Sequence, residues 1–191
     1  KDENLLKEFT YAETYGSQLY RVSNTVASAR IMTEHYNSPI YISQISFGDD
    51  WTSAPTVAGL LGAFHGIFEP LLQTPSNYAT FIGDDFESAG AKELSKDFKA
   101  YLKQFVTTGD PNGDDLPKWE AWTASNHEVL SMDADLEKAK IEMSSDKETA
   151  EDILAKMEAD ATLSTAIKDE LNKTVLNGRW FSSVIDAKYG E

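Results

Sequence analysis

Apolar positions near the start of the chain recur at helical spacing. Leu5, Leu6, Phe9 and Ala12 predict a helix from Asp2 to Tyr15, and Val22, Val26, Ala29, Ile31 and Met32 predict a second from about Ser23 to His35. Asn37-Ser38-Pro39 ends that helix, because proline disfavours helical geometry at the residue before it. The run Ile40 to Phe47 is β-branched and aromatic and reads as a strand, closed by Gly48-Asp49-Asp50. A long stretch follows, with Pro55, Gly59 and Gly62, that carries apolar residues without a clean period and has the look of a functional connection. Leu94, Phe98, Tyr101, Leu102 and Phe105 then mark an amphipathic helix from about Ser88 to Val106, which should pack on a sheet or another helix.

Thr108-Gly109-Asp110-Pro111-Asn112-Gly113 has turn chemistry, and Leu116-Pro117-Lys118-Trp119 leads to a short apolar run at Val129 and Leu130. The body of the domain is expected to end at Met132. Residues 133–160 hold ten acids against four bases, which reads as a solvated face. Ser145 and Glu148 stand at capping-box spacing ahead of Ala150, Ile153, Leu154 and Met157. A last helix passes Leu163, Ala166, Ile167, Leu171 and Val175 and stops at Asn177-Gly178. Residues 133–191 are thus expected to form an acidic helical extension that packs on a body made of residues 1–132.

Composition narrows the class. A chain of 191 residues with 41% hydrophobic residues, 4 Trp, 8 Tyr and 9 Phe can own a core, and no apolar run is long enough to span a bilayer. The net charge of −15 argues against nucleic acid and anionic membrane surfaces as partners. With no cysteine, a disulfide framework, a thiol nucleophile and a cysteine-ligated zinc are excluded, and a cytoplasmic setting is favoured. The chain opens on Lys1 with no leader pattern behind it, and upstream sequence is expected.

Candidate chemistry centres on Gly62-Ala63-Phe64-His65-Gly66. Histidine titrates near neutrality, and the glycines let backbone or substrate come close to the ring; a lone imidazole among apolar residues is otherwise read as structural. Other signals fail on their own terms. Asp110-Pro111-Asn112-Gly113-Asp114 begins like a calcium loop, but Asp115 stands where glycine is required and Ala121 where a bidentate glutamate is required. Glu87-Ser88-Ala89-Gly90 resembles the end of a nucleophile elbow, yet Phe86 replaces its leading glycine and Gly83-Asp84-Asp85 is a turn rather than a strand. Ser88 reads instead as a helix N-cap. His35 and His127 have no acidic or histidine partner at i+4 and read as ordinary surface residues.

In order, these pieces resemble the C-terminal part of the type B carboxylesterases, the cholinesterase-like α/β-hydrolases. Pro39-Ile40-Tyr41-Ile42 is similar to the family's P-V-Y-x strand and Gly62-Ala63-Phe64-His65-Gly66 to its G-A-x-H-G loop. The helix ending at Phe105, with the T-G-D-P-N-G…L-P-x-W run after it, is similar to the family's final helix and turn. The resemblance covers about Pro39 to Met132. Glu69 departs from it, standing four residues after His65 where the family places an acid three after; Ser43 and Ile45 replace strand aromatics, and Glu120 a proline.

The resemblance implies an α/β fold, here a C-terminal fragment of an α/β-hydrolase, mostly helical with one or two sheet strands. It implies that His65 is the triad base of a serine carboxylesterase acting on small ester substrates, with no metal or cofactor. The family's nucleophile and acid come before the histidine in sequence, and no G-x-S-x-G elbow occurs in the 191 residues, so one of three triad roles is present and the chain alone is expected to be inactive. A strand edge and aromatic surface such as Tyr41 and Phe47 would be left uncovered, which points to self-association. Two other readings stay open: a non-catalytic cholinesterase-like binding module, and an unrelated α-rich domain.

Overall fold

The computed structural model describes residues 2–48, 62–73, 86–179 and 183–190. The chain divides into two compact units, one of residues 39–146 and one made from both ends, residues 1–38 and 147–191.

The unit of residues 39–146 is built on strands β1 (Ser43–Ile45), β2 (Glu128–Ala134) and β3 (Ala139–Ser145), in the order β1-β2-β3. β1 runs parallel to β2, with Gln44 opposite Ser131, and β3 is antiparallel, with Met143 opposite Leu130. Helix α3 (Phe68–Leu72) packs on helix α4 (Ala89–Thr108). Alternation on β2 sends Leu130, Met132 and Ala134 into one core with Leu94, Phe98 and Tyr101 of α4. α4 begins at Ser88, whose hydroxyl accepts from the Ala91 amide, and ends at Gly109, which takes a left-handed φ of +80°.

The expected body boundary at Met132 falls inside β2. β3 has a plain physical reason: Ala139, Ile141 and Met143 alternate with Lys140 and Glu142, so one face packs on the core while the other meets water. Residues 139–145 are therefore a strand, not part of a helical extension. Ser145 does not cap the next helix; its hydroxyl donates to the Asn126 carbonyl at 2.7 Å. Phe47 is likewise not uncovered. It is 2% exposed, its ring 5.0 Å from that of Phe86, and Tyr41 is half-buried against Phe105 and Trp119.

In the other unit, helix α1 (Glu3–Tyr20) runs past Tyr15 and continues through a π-helical turn (Arg21–Val26) into α2 (Ala27–His35), so the two expected helices are one helical run. Against α1 pack α5 (Ala150–Ala159), α6 (Thr165–Leu171) and a π-helical turn (Asn172–Leu176); α7 (Ser183–Tyr189) packs on α5 and that turn. α5 does start with a capping box, made by Thr149 and Asp152. Tyr11, Leu19, Ile153, Met157, Leu176 and Ile185 form the core here. No described helix is long and apolar enough to cross a membrane.

Candidate active site

His65 stands on a turn between the end of the β1 segment and α3, and its side chain is exposed. The turn is closed locally. The Phe64 amide donates to the Gly62 carbonyl at 3.1 Å, Ile67 to Phe64 at 3.0 Å and Glu69 to Gly66 at 3.1 Å. Its downstream flank is anchored: Gly66 and Ile67 are buried, Leu71 is fully buried, and the Ser95 hydroxyl of α4 donates to the Leu71 carbonyl at 2.6 Å. Phe64 packs on the core and meets the His65 ring edge to face at 6.0 Å. His65 is thus an exposed residue between the partly buried Phe64 and the buried Gly66. Glu69 lies half-buried in the first turn of α3. The connection that leads into this turn, residues 49–61, lies outside the described residues.

On the upstream side the turn meets β1. A Cβ at Gly48 would stand 3.2 Å from the Gly62 carbonyl oxygen, so the end of the strand segment and the start of the His65 turn are in close backbone approach. In the sequence Gly48 reads as a strand terminator; the signal for its second role, a glycine on each side of a long connection, is visible there but ambiguous.

The Thr108–Trp119 run holds β1 in place. The Asp110 carboxylate accepts from the Asn112 amide at 2.9 Å and side chain at 2.7 Å, and these bonds hold its pKa below the usual carboxylate range. Asn112 in turn bonds both ways to the Trp119 backbone, and the Trp119 indole donates to the Ile42 carbonyl at 3.1 Å. Tyr101 donates to the Pro117 carbonyl, and burial pushes its phenol up to about 12. The motif is a clamp from the end of α4 to β1.

The other histidines lie elsewhere. His35 ends α2. His127 adopts a φ of +53°, with one ring nitrogen 3.0 Å from the Asp146 carbonyl and the other 3.0 Å from the Ala124 carbonyl. Ser88 caps α4 as expected, and the expected turn at Gly83-Asp84-Asp85 lies outside the described residues. Among the described residues no cluster of His, Cys, Asp or Glu is arranged to hold a metal ion. A groove of about 460 Å³ bordered by Asp169, Lys173, Lys188, Tyr189 and Gly190 belongs to the helical unit, and Lys188 is paired there with Glu158.

No curated protein and no solved structure matches the chain. The model of the carboxylesterase family matches residues 7–151, which takes in most of α1, β1, the His65 turn, α4, the clamp and the β2–β3 hairpin. That span exceeds the motifs between Pro39 and Met132 at both ends and covers most of the sequence, and the chain belongs to the carboxylesterase family.

Proposed function

We propose that this chain supplies the general base of a serine carboxylesterase. His65 takes the proton of a serine hydroxyl as the oxygen attacks the ester carbonyl, and returns it to the departing alkoxide, leaving an acyl-enzyme. In the second half-reaction it takes a proton from water as the water oxygen bonds to the acyl carbon, and it returns that proton to the serine oxygen as the acyl–serine bond breaks, releasing the acid. The serine and the acid that orients the imidazole come from family sequence other than these 191 residues, which contain no G-x-S-x-G elbow. The chain by itself therefore binds no acyl group and hydrolyses no ester.

The observation that carries this reading is the exposed His65 on a turn with a buried downstream flank, beside the end of β1 and within the span that matches the family. The test is turnover of a short-chain aryl ester by the purified 191-residue chain and by its His65→Ala variant. Equal rates, both at the background of free imidazole, are expected. Turnover by the unaltered chain that His65→Ala abolishes would overturn the claim that the chain is inactive alone.

A further inference from the structure

Gly48 follows the buried Phe47 with a φ of +108°, a conformation that side chains of L residues rarely adopt. A Cβ there would lie 3.2 Å from the Gly62 carbonyl oxygen, 3.4 Å from its carbon and 3.7 Å from the Ala63 nitrogen. The Gly62 carbonyl is also the acceptor for the Phe64 amide, one residue before His65. Whatever displaces Gly62 is thus transmitted to the histidine through one hydrogen-bonded turn.

Both segments that meet at this contact lead into the core. On the strand side, the Ser46 amide donates to the Met132 carbonyl at 2.9 Å and Phe47 is held in the core. On the turn side, Ile67 and Leu71 belong to the same core. Packed interiors transmit small displacements rather than absorbing them.

We propose that Gly48 is a positioning residue for His65: its missing side chain lets the Gly62 carbonyl stand against the end of β1, and that contact sets where the imidazole projects. The proposal rests on the reading of His65 as the triad base and adds the backbone seat that aims it. Gly48→Ala pushes Gly62 aside by a few tenths of an ångström and carries the ring with it. Gly109 is the control. Its φ is +80° and its Cβ would meet nothing within 4 Å, so Gly109→Ala strains the backbone without displacing a neighbour.

The experiment follows the ring carbon–proton resonances of His35, His65 and His127 in the full chain, with the titration curve of each, for the unaltered protein, Gly48→Ala and Gly109→Ala. Gly48→Ala is expected to shift the His65 resonance and its titration curve and to leave the other two unmoved; Gly109→Ala should move none. A His65 signal unchanged by Gly48→Ala, or all three rings moving together, would overturn the proposal. The unaltered chain gives a second reading that needs no variant: a nuclear Overhauser contact between a Gly48 α proton and the Ala63 amide is expected, and its absence would also overturn it. Neither readout depends on ester turnover, so failure here leaves the triad reading standing, and an inactive histidine leaves the Gly48 contact standing.

Discussion

The two compact units of this chain are held by different kinds of contact. In residues 39–146 the sheet, α3 and α4 share a continuous apolar core, and polar groups act at its margin, as in the Asp110–Asn112–Trp119 clamp. In the unit made from the chain's ends, polar groups reach inside. The Tyr11 hydroxyl donates to the buried Asn172 at 3.2 Å, Tyr15 donates to Asp160 at 2.9 Å, and Glu148 pairs with both Arg21 and Lys156. Lys168, 7% exposed, places its ammonium on the carbonyls of Met157, Glu158 and Asp160 at 2.9, 2.8 and 2.6 Å, closing the C-terminus of α5. The first arrangement holds a backbone turn on which His65 is exposed. The second spends its polar groups on joining helices far apart in sequence, and none of those contacts presents a reactive group.

Gly90→Ala should have the largest effect on this contrast. A methyl group there would collide with the carbonyls of Asp135 and Lys138, where the β2–β3 turn sits on the start of α4 and the Gly90 amide donates to Leu136. A loss of about 3 kcal/mol is expected, since backbone cannot move aside as a side chain can. It should appear as faster amide exchange along Ala139–Ser145. Unchanged exchange would mean that the hairpin does not depend on this contact.

Next is Lys168→Met, which keeps the stem and removes the donor from three carbonyls. The helical unit should lose about 1.5–3 kcal/mol in chemical denaturation. No loss would show that water replaces the ammonium freely.

The smallest effect is alkaline. Burial is the main cause that pushes the phenols of Tyr11 and Tyr15 up from 10.0 to about 12. Because the unfolded chain gives up these protons first, the stability they confer is complete below pH 10 and is lost as pH rises from 10 to about 12. Tyr101 in the other unit follows the same sign, so the discriminating variant is Tyr15→Phe. It should cost about 1 kcal/mol at neutral pH, from the bond to Asp160, and flatten the decline above pH 10. An unaltered alkaline profile would contradict the assignment.

Local chemistry explains which parts were legible from sequence. Ser88 and Gly109 bracket α4 with a cap at each end, and the Leu94–Phe98–Tyr101 stripe faces the core, so helix, boundaries and buried face all follow from neighbouring residues. The His65 turn was legible through its glycines and through the clamp motif, whose residues act on one another within a short stretch. The apolar pattern predicts an end to α1 at Tyr15, whereas the helix runs on to Tyr20. In the fold Gly16 is buried, and packing on α5 and α6 outweighs the roughly 1 kcal/mol that glycine costs a helix. β3 carries a clear alternation, obscured by the acids around it. Arg21 with Glu148 and Tyr11 with Asn172 join positions more than a hundred residues apart, and no local pattern encodes such pairs. Gly48 is the intermediate case, a visible residue whose partner, Gly62, is identified by tertiary contact alone.

The most direct test of the central claim joins this chain to the segment of a carboxylesterase that carries the serine elbow and the acid, and measures kcat for an aryl ester. His65→Ala is expected to lower kcat by roughly 10⁴–10⁶-fold, as loss of a triad base does, while His35→Ala turns over at the unaltered rate. A His65→Ala enzyme that keeps its rate would contradict the account.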